Sequence, residues 1–441
     1  MRLIRLLKND LLREIQTWAD DRLITVEQAE KISARYGIDY YNPSTRSYGY
    51  YVLVGLGYLF IGLAVITLIG HNWDDLPRGL RMGGLIALTL AANAYGYFRF
   101  RAGEQKAATT WFFLGGLLYG ASIMLIAQIY HIGEHFPDGI FWWGVGVLPI
   151  AILLDSTLIL LLAGTLGFTW FFVESSMNFY PALFPVFLIA IAWHVFRIKQ
   201  SNLLFLALMV GFGFWGEYTL SWLMTDAPRF RFREENIVFA IGLLLAFHGF
   251  SRWLMQSREH RNVDYGTLLS VWTLRLTIIA LFIFSFDESW RGLIRAHWHS
   301  PSLAVSLAVG CSLVALALVY RAGRPLTSTA VFAAFYIISM LTVMQVDDRK
   351  FAVYFQFADN VLLVVAGIWL IVRGIQSKIS HYFFLGVLTV LATGLIRYID
   401  FVGDYIGASI LFIVFAVILL SAAKFWRRQQ ATQETGQEGA A

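Results

Sequence analysis

The chain alternates apolar runs of close to twenty residues with short polar breaks. From Tyr50 onward the pattern predicts fourteen spans, at 50–70, 82–98, 109–130, 139–154, 157–173, 180–196, 203–224, 237–254, 268–286, 302–320, 327–346, 351–372, 379–398 and 405–423. A helix of about twenty residues crosses the roughly 30 Å hydrocarbon core of a bilayer, because it rises about 1.5 Å per residue. The fold class read from this is an all-α polytopic membrane protein. The arms that turn at Asp155-Ser156 are short enough for a re-entrant pair as well as for two full spans.

Ahead of the spans, residues 1–49 predict a small cytosolic helical hairpin. Ile4, Leu7, Leu11, Ile15 and Trp18 recur every three or four positions and give one apolar face. Thr25 and Gln28 have the spacing of a capping box that would start a second helix before Ala29, Ile32 and Tyr36, with Gly37 as its stop. Residues 424–441 are polar and predict a disordered tail.

Composition excludes a soluble domain. Of 441 residues, 58% are hydrophobic and only 14% charged, where an ordinary soluble domain carries about 25%. The net charge of +5 follows topology. With both termini cytoplasmic, 23 Lys and Arg fall on the inner side and 10 on the outer, with Arg275 in mid-span. That asymmetry makes membrane lipids the expected partner and gives no reason to expect nucleic acid. Arg2, Arg5 and Lys8 would suit contact with anionic headgroups. Cys311 is the only cysteine, so neither an intramolecular disulfide nor a thiolate cluster can form, and no cofactor is expected. No removable signal peptide is expected either.

Two polar knots end the first and third runs on one predicted side. Gly70–Arg81 reads GHNWDDLPRGLR, and Gln128-Ile129-Tyr130-His131 closes the third. Trp73 and the charged residues of the first knot suit a capped interfacial turn. His71, Asn72, Gln128 and His131, with Arg397 and Asp400 at the end of the thirteenth run, form the predicted outer vestibule. His131–His135 has the form H-x-x-E-H of one zinc peptidase class, but Gly133 and Pro137 oppose the helix that chemistry needs. No metal is expected.

Charges inside the runs carry more information, because a charge in hydrocarbon is expensive and faces a partner or water. Arg275 needs a partner such as Glu217 or Asp359, and Asn360 follows Asp359. These four residues define the predicted substrate pathway, against the plainer reading of a buried ion pair that ties helices together. Trp111–Gly115 (WFFLG) and Tyr382–Gly386 (YFFLG) open the third and thirteenth runs, an echo that suits a parallel repeat of spans 2–4 and 12–14. The glycines of the third run, Gly115, Gly116 and Gly120, have the spacing of close helix packing.

The segment Leu23–Glu30, followed by runs ending in His71-Asn72-Trp73-Asp74 and Ala127–His131, resembles the domain of unknown function 2157 family over roughly residues 1–160. The resemblance implies a bacterial inner-membrane protein and carries over no activity, cofactor or catalytic residue. A separate periplasmic or cytosolic protein partner is an expectation drawn from relatives that carry a companion domain. The leading functional expectation is a transporter or lipid-substrate flippase opening to the periplasmic side. The alternatives are a periplasm-facing enzyme on a lipid-linked substrate, using His71 or His131 as base with Arg78, Arg81 or Arg397 on an anion, and a scaffold or sensor that docks a partner through the N-terminal hairpin.

Overall fold

The computed structural model describes residues 8–35, 77–130, 135–224, 232–346, 348–377 and 379–400, together with Tyr40 and scattered positions within 53–67 and at 409, 413 and 417. Every described element is a helix: α1 Lys8–Asp20, α2 Val26–Arg35, α3 Arg78–Arg101, α4 Gln105–Tyr130, α5 Pro137–Leu153, α6 Thr157–Ser176, α7 Phe184–Trp193, α8 Asn202–Leu223, α9 Glu234–Leu254, α10 His260–Phe284, α11 Asp287–Arg295, α12 Pro301–Arg321, α13 Thr327–Gln345, α14 Ala352–Ser377 and α15 Ser380–Asp400. Among the described residues, nine helices are long and apolar enough to cross a membrane. This is a polytopic helical membrane protein.

The expected runs and the helices coincide closely between residues 82 and 398, with informative differences. The 139–154 and 180–196 runs form shorter apolar helices, α5 and α7, the latter ending in a π turn over His194–Ile198. α3 spans 24 residues, but its small and polar side chains keep it out of the nine. The expected outer loop after residue 286 contains a helix, α11, which buries Trp290 against Val343, Ala352 and Phe355 while Asp287 pairs with Arg291 one turn on. The expected 50–70 and 405–423 spans, and the 424–441 tail, lie outside the described residues apart from scattered positions.

The chain divides into two compact units, residues 1–170 and 171–441. In the first, α1 and α2 pack as a hairpin that buries Leu12, Ile15, Ala29 and Ser33. The capping box is in place: the Thr25 N–H donates to Gln28 Oε1 at 2.9 Å and the Gln28 N–H to Thr25 Oγ1 at 3.3 Å. The buried face falls on Leu12 and Ile15, one position round from the expected Leu11, and Trp18 is exposed.

α3 and α4 form a close antiparallel pair in the first unit, and α14 and α15 form another in the second. Both use the aromatic-Phe-Phe-Leu-Gly sequence in one way. Phe112, its second position in α4, packs on Gly96 of α3, and Phe383 packs on Gly374 of α14. A Cβ on Gly115 would stand 2.6 Å from the Asn93 amide, and one on Gly386 would stand 2.8 Å from the Ile371 backbone nitrogen. Asn93 and Ile371 each precede the paired glycine by three residues, so the two crossings share one pattern of contacts. Gly116 and Gly120 meet Val147 and Trp143 of α5, the close approach that small residues allow.

In the second unit α9 and α12 run parallel. A Cβ on Gly242 would lie 2.9 Å from Cys311 Cβ, and one on Gly249 would lie 2.7 Å from the Ala315 carbonyl oxygen. With alternating helices and short turns, the starts of α9, α12 and α14 gather at one end and their last turns at the other. The first end holds buried carboxylates. The second holds arginines.

Candidate functional site

The carboxylate end is built around Asn236, which is fully buried in the first turn of α9. Its Nδ2 donates to Glu217 Oε2 at 2.9 Å and to the Glu217 carbonyl at 3.0 Å. Its Oδ1 accepts from Ser221 Oγ at 3.0 Å and from the Arg233 N–H at 3.1 Å. One amide thus fastens the last turns of α8 to the start of α9 and satisfies a free N–H of that helix terminus. Cys311 and Tyr336 lie within electrostatic reach of Glu217, and the Tyr336 hydroxyl donates to the Val238 carbonyl.

Glu235 is 0% exposed. Its Oε1 accepts from the Ser300 N–H at 2.9 Å, and Ser300 is the residue that caps α12. The carboxylate sits in the first turn of α9 and at the start of α12, beside two helix N-termini that each carry partial positive charge. Even so, Glu235 Oε2 and Glu217 Oε1 are buried without a hydrogen-bond partner.

Asp359 lies two turns into α14, an apolar candidate span, and is 2% exposed. Its Oδ2 and the neighbouring Asn360 Oδ1 are buried without a hydrogen-bond partner. Asn360 Nδ2 donates to the Gln356 carbonyl at 2.7 Å and to the Ser285 carbonyl at 3.2 Å, and Gln356 Nε2 donates to the same Ser285 carbonyl at 3.0 Å. α14 therefore uses two amides to satisfy the carbonyl end of α10. The cation within electrostatic reach of Asp359 is Arg397 of α15, whose guanidinium lies 5.6 Å from the Phe286 ring centre.

Arg275 is placed differently from these residues. Its guanidinium lies 5.1 Å from the ring centre of Trp272, one turn back along α10, and it acts electrostatically on His381 at the start of α15. Side chains on a helix lean toward its N-terminus, and the N-terminus of α10 belongs to the arginine end. Arg275 leans away from the carboxylates, and among the described residues no ion pair joins it to Glu217 or Asp359. The structure brings Asp359 and Asn360 together on α14 and gives Glu217 the Asn236 amide as its partner.

Of the expected vestibule, Gln128 is exposed in the last turn of α4 and Arg397 is half-buried near the end of α15. His71, Asn72 and His131 lie outside the described residues, as does the Asp400 side chain. Among the described residues no three His, Cys, Asp or Glu side chains gather as they would around a metal ion. In the sequence Glu235 and Asn236 fall in the polar break between the 203–224 and 237–254 runs. The signal that could have found them is Glu234-Glu235-Asn236 directly before an apolar run, the acidic first turn of a helix.

No curated protein and no solved structure matches the chain. Residues 16–160, which contain the last five residues of α1, all of α2 to α5 and the start of α6, match the family described as Predicted membrane protein (DUF2157).

Proposed function

We propose that the protein is a transporter, for a solute or a lipid-borne substrate, whose polar pathway runs through the second unit past Asp359, Asn360 and Glu217. Asp359 carries the reading. It is a carboxylate deep in an apolar span with an unpartnered oxygen. Such a group costs several kcal/mol in hydrocarbon, and proteins retain it where it exchanges a proton or meets a polar cargo. In this reading Asp359 and Glu217 are the protonatable groups, Asn360 and Asn236 orient them, and Arg397 offsets the Asp359 charge. Arg275 lines the same route nearer its other end, and His71, Asn72, Gln128, His131 and Asp400 border its outer mouth. The chain then crosses a bacterial inner membrane fourteen times, with both termini and the α1–α2 hairpin in the cytoplasm, where the hairpin docks a protein partner.

Reconstitution in proteoliposomes tests this in two assays. One follows an entrapped pH-sensitive dye while anionic, cationic and neutral solutes are offered against a proton gradient. The other follows dithionite quenching of a fluorescent phospholipid. One assay is expected to give flux, falling about tenfold or more with Asp359→Asn and Glu217→Gln. No flux in either assay, or unchanged flux in both variants, overturns the reading.

A further inference from the structure

The helix α11, in what the apolar runs mark as a loop, stands at the carboxylate end between the last turn of α10 and the start of α12. Phe286 before it and Ala296 after it are in extended backbone, so it is set off from both neighbours. Asp287 and Glu288 suit the N-terminus of a helix and Arg295 its last turn. Of its nine residues only Trp290 is buried, and Glu288, Gly292 and Arg295 are exposed. A helix so short is marginal by itself in water. Its place therefore depends on what Trp290 holds.

Trp290 is wedged among three helix ends. Its ring stacks on Phe355 of α14, with centres 5.1 Å apart and planes 18° apart, and tilts against Phe284 at the end of α10, also at 5.1 Å. Its Nε1 donates to the Phe284 carbonyl at 2.7 Å. Val343 in the last turn of α13 and Ala352 at the start of α14 complete the packing, with Leu293 and Ile294 beside it.

Phe355 precedes Asp359 by four residues, so helical spacing puts the two on one face of α14, with Ala352 a further turn toward its start. Trp290 thus covers the stripe that holds Asp359, one turn nearer the end of the helix. The approach to α11 is tied to the same two turns. Gln356 and Asn360, the residues that follow Phe355 and Asp359, both donate to the Ser285 carbonyl, and Phe286 has the Arg397 guanidinium 5.6 Å from its ring centre. The hydrogen bonds from α11 itself to α10 are made by side chains, Ser289 Oγ to the Ile283 carbonyl and Trp290 Nε1 to that of Phe284. Withdrawing Trp290 would uncover the Asp359 stripe and leave the backbone of the spanning helices intact.

We propose that α11 is a movable cover over Asp359, with Trp290 as its latch. Seated as in this structure, it separates the carboxylate from the aqueous end; withdrawn, it admits water, a proton or cargo. The proposal rests on the transport reading, in which Asp359 must meet the aqueous phase. Segments that open and close over a fixed site give such access, and a few residues at the ends of an element absorb the change, here Phe286 and Ala296.

The test reads cover and transport separately, on the full chain in lipid nanodiscs. In a Cys311→Ser background with Asp359→Cys as the sole thiol, a water-soluble methanethiosulfonate is expected to modify that thiol about tenfold or more faster with Trp290→Ala than with Trp290 kept. Trp290→Phe, which keeps a ring on Phe355, is expected to stay within about threefold of the rate with Trp290. Hydrogen exchange on the natural chain needs no change at Trp290, and so decides the matter if Trp290→Ala does not fold. There the α11 amides are expected to exchange about 100-fold or more faster than those of α14 around Asp359. A thiol modified as fast with Trp290 as with alanine, or α11 amides as slow as those of α14, overturns the proposal. Flux that depends on Asp359 beside labelling that ignores Trp290 removes the cover and leaves transport standing. Labelling that depends on Trp290 without flux in either proteoliposome assay keeps the cover and removes transport.

Discussion

The two ends of the second unit face the same problem, charge in a membrane, and solve it in opposite ways. At the carboxylate end, Glu217 and Glu235 are each held by a donor from the protein itself, the Asn236 amide and the Ser300 N–H, and the surrounding helices close over them. At the arginine end, Arg275 and Arg373 lie over tryptophan rings, Arg324 and Arg321 are exposed, and Arg252 is only half-buried. The difference lies in side-chain length. A carboxylate on a short stem must take its partner where the backbone leaves it, whereas a guanidinium can carry its charge toward the interface along an apolar stem. Charge at the first end is therefore tied to the fold, and charge at the second is available to something outside it.

That contrast can be broken by substitution. The largest effect is expected from Asn236→Ala, which removes three hydrogen bonds joining α8 to α9 and a fourth within the α9 terminus and leaves the Glu217 carboxylate unsatisfied, for a loss of about 2–4 kcal/mol in unfolding experiments. Next is Gly386→Ala. Its new Cβ would stand 2.6 Å from the Gly367 carbonyl oxygen, so the backbone must move, at a cost of about 1–3 kcal/mol. Gly115→Ala meets only the Asn93 side chain, which can rotate, and should cost less in the same measurement. Glu235→Gln keeps an acceptor for the Ser300 N–H and should lower stability by about 1 kcal/mol or less, whereas Glu235→Ala, which leaves that N–H unpaired, should cost about 1–3 kcal/mol. Equal losses from the two would mean that the charge, not the hydrogen bond, is what α12 requires. At the other end, Arg324→Gln should leave Tm in lipid-free detergent within about 2 °C of the natural protein. A larger drop would show that the arginine end is also bound into the fold.

Much of the architecture was legible in the sequence because lipid imposes a simple rule. Every spanning backbone must satisfy its own hydrogen bonds, so runs of near-twenty apolar residues become helices almost wherever they occur. The capping box at Thr25 and Gln28 was legible for a similar reason, since it depends on four consecutive positions. The helix α11 was not, because its apolar face is only Trp290, Leu293 and Ile294 spread through nine residues that carry four charges. The partners of the in-span charges were also out of reach. Helix count orders the spans but does not say toward which end a long side chain leans. Arg275 has the depth of a residue that could meet Glu217 or Asp359, and the direction of α10 turns it the other way. Glu235 needed the approach of Ser300, sixty-five positions away, to become a buried residue instead of a loop residue.

Only two residues, at positions 378 and 379, separate α14 from α15, while Gly374 and Phe383 bring the pair into contact at its first turns. A connection so short holds the two helices together as an antiparallel pair, so the neighbour that stands beside Asp359 is set by the chain's own covalent path.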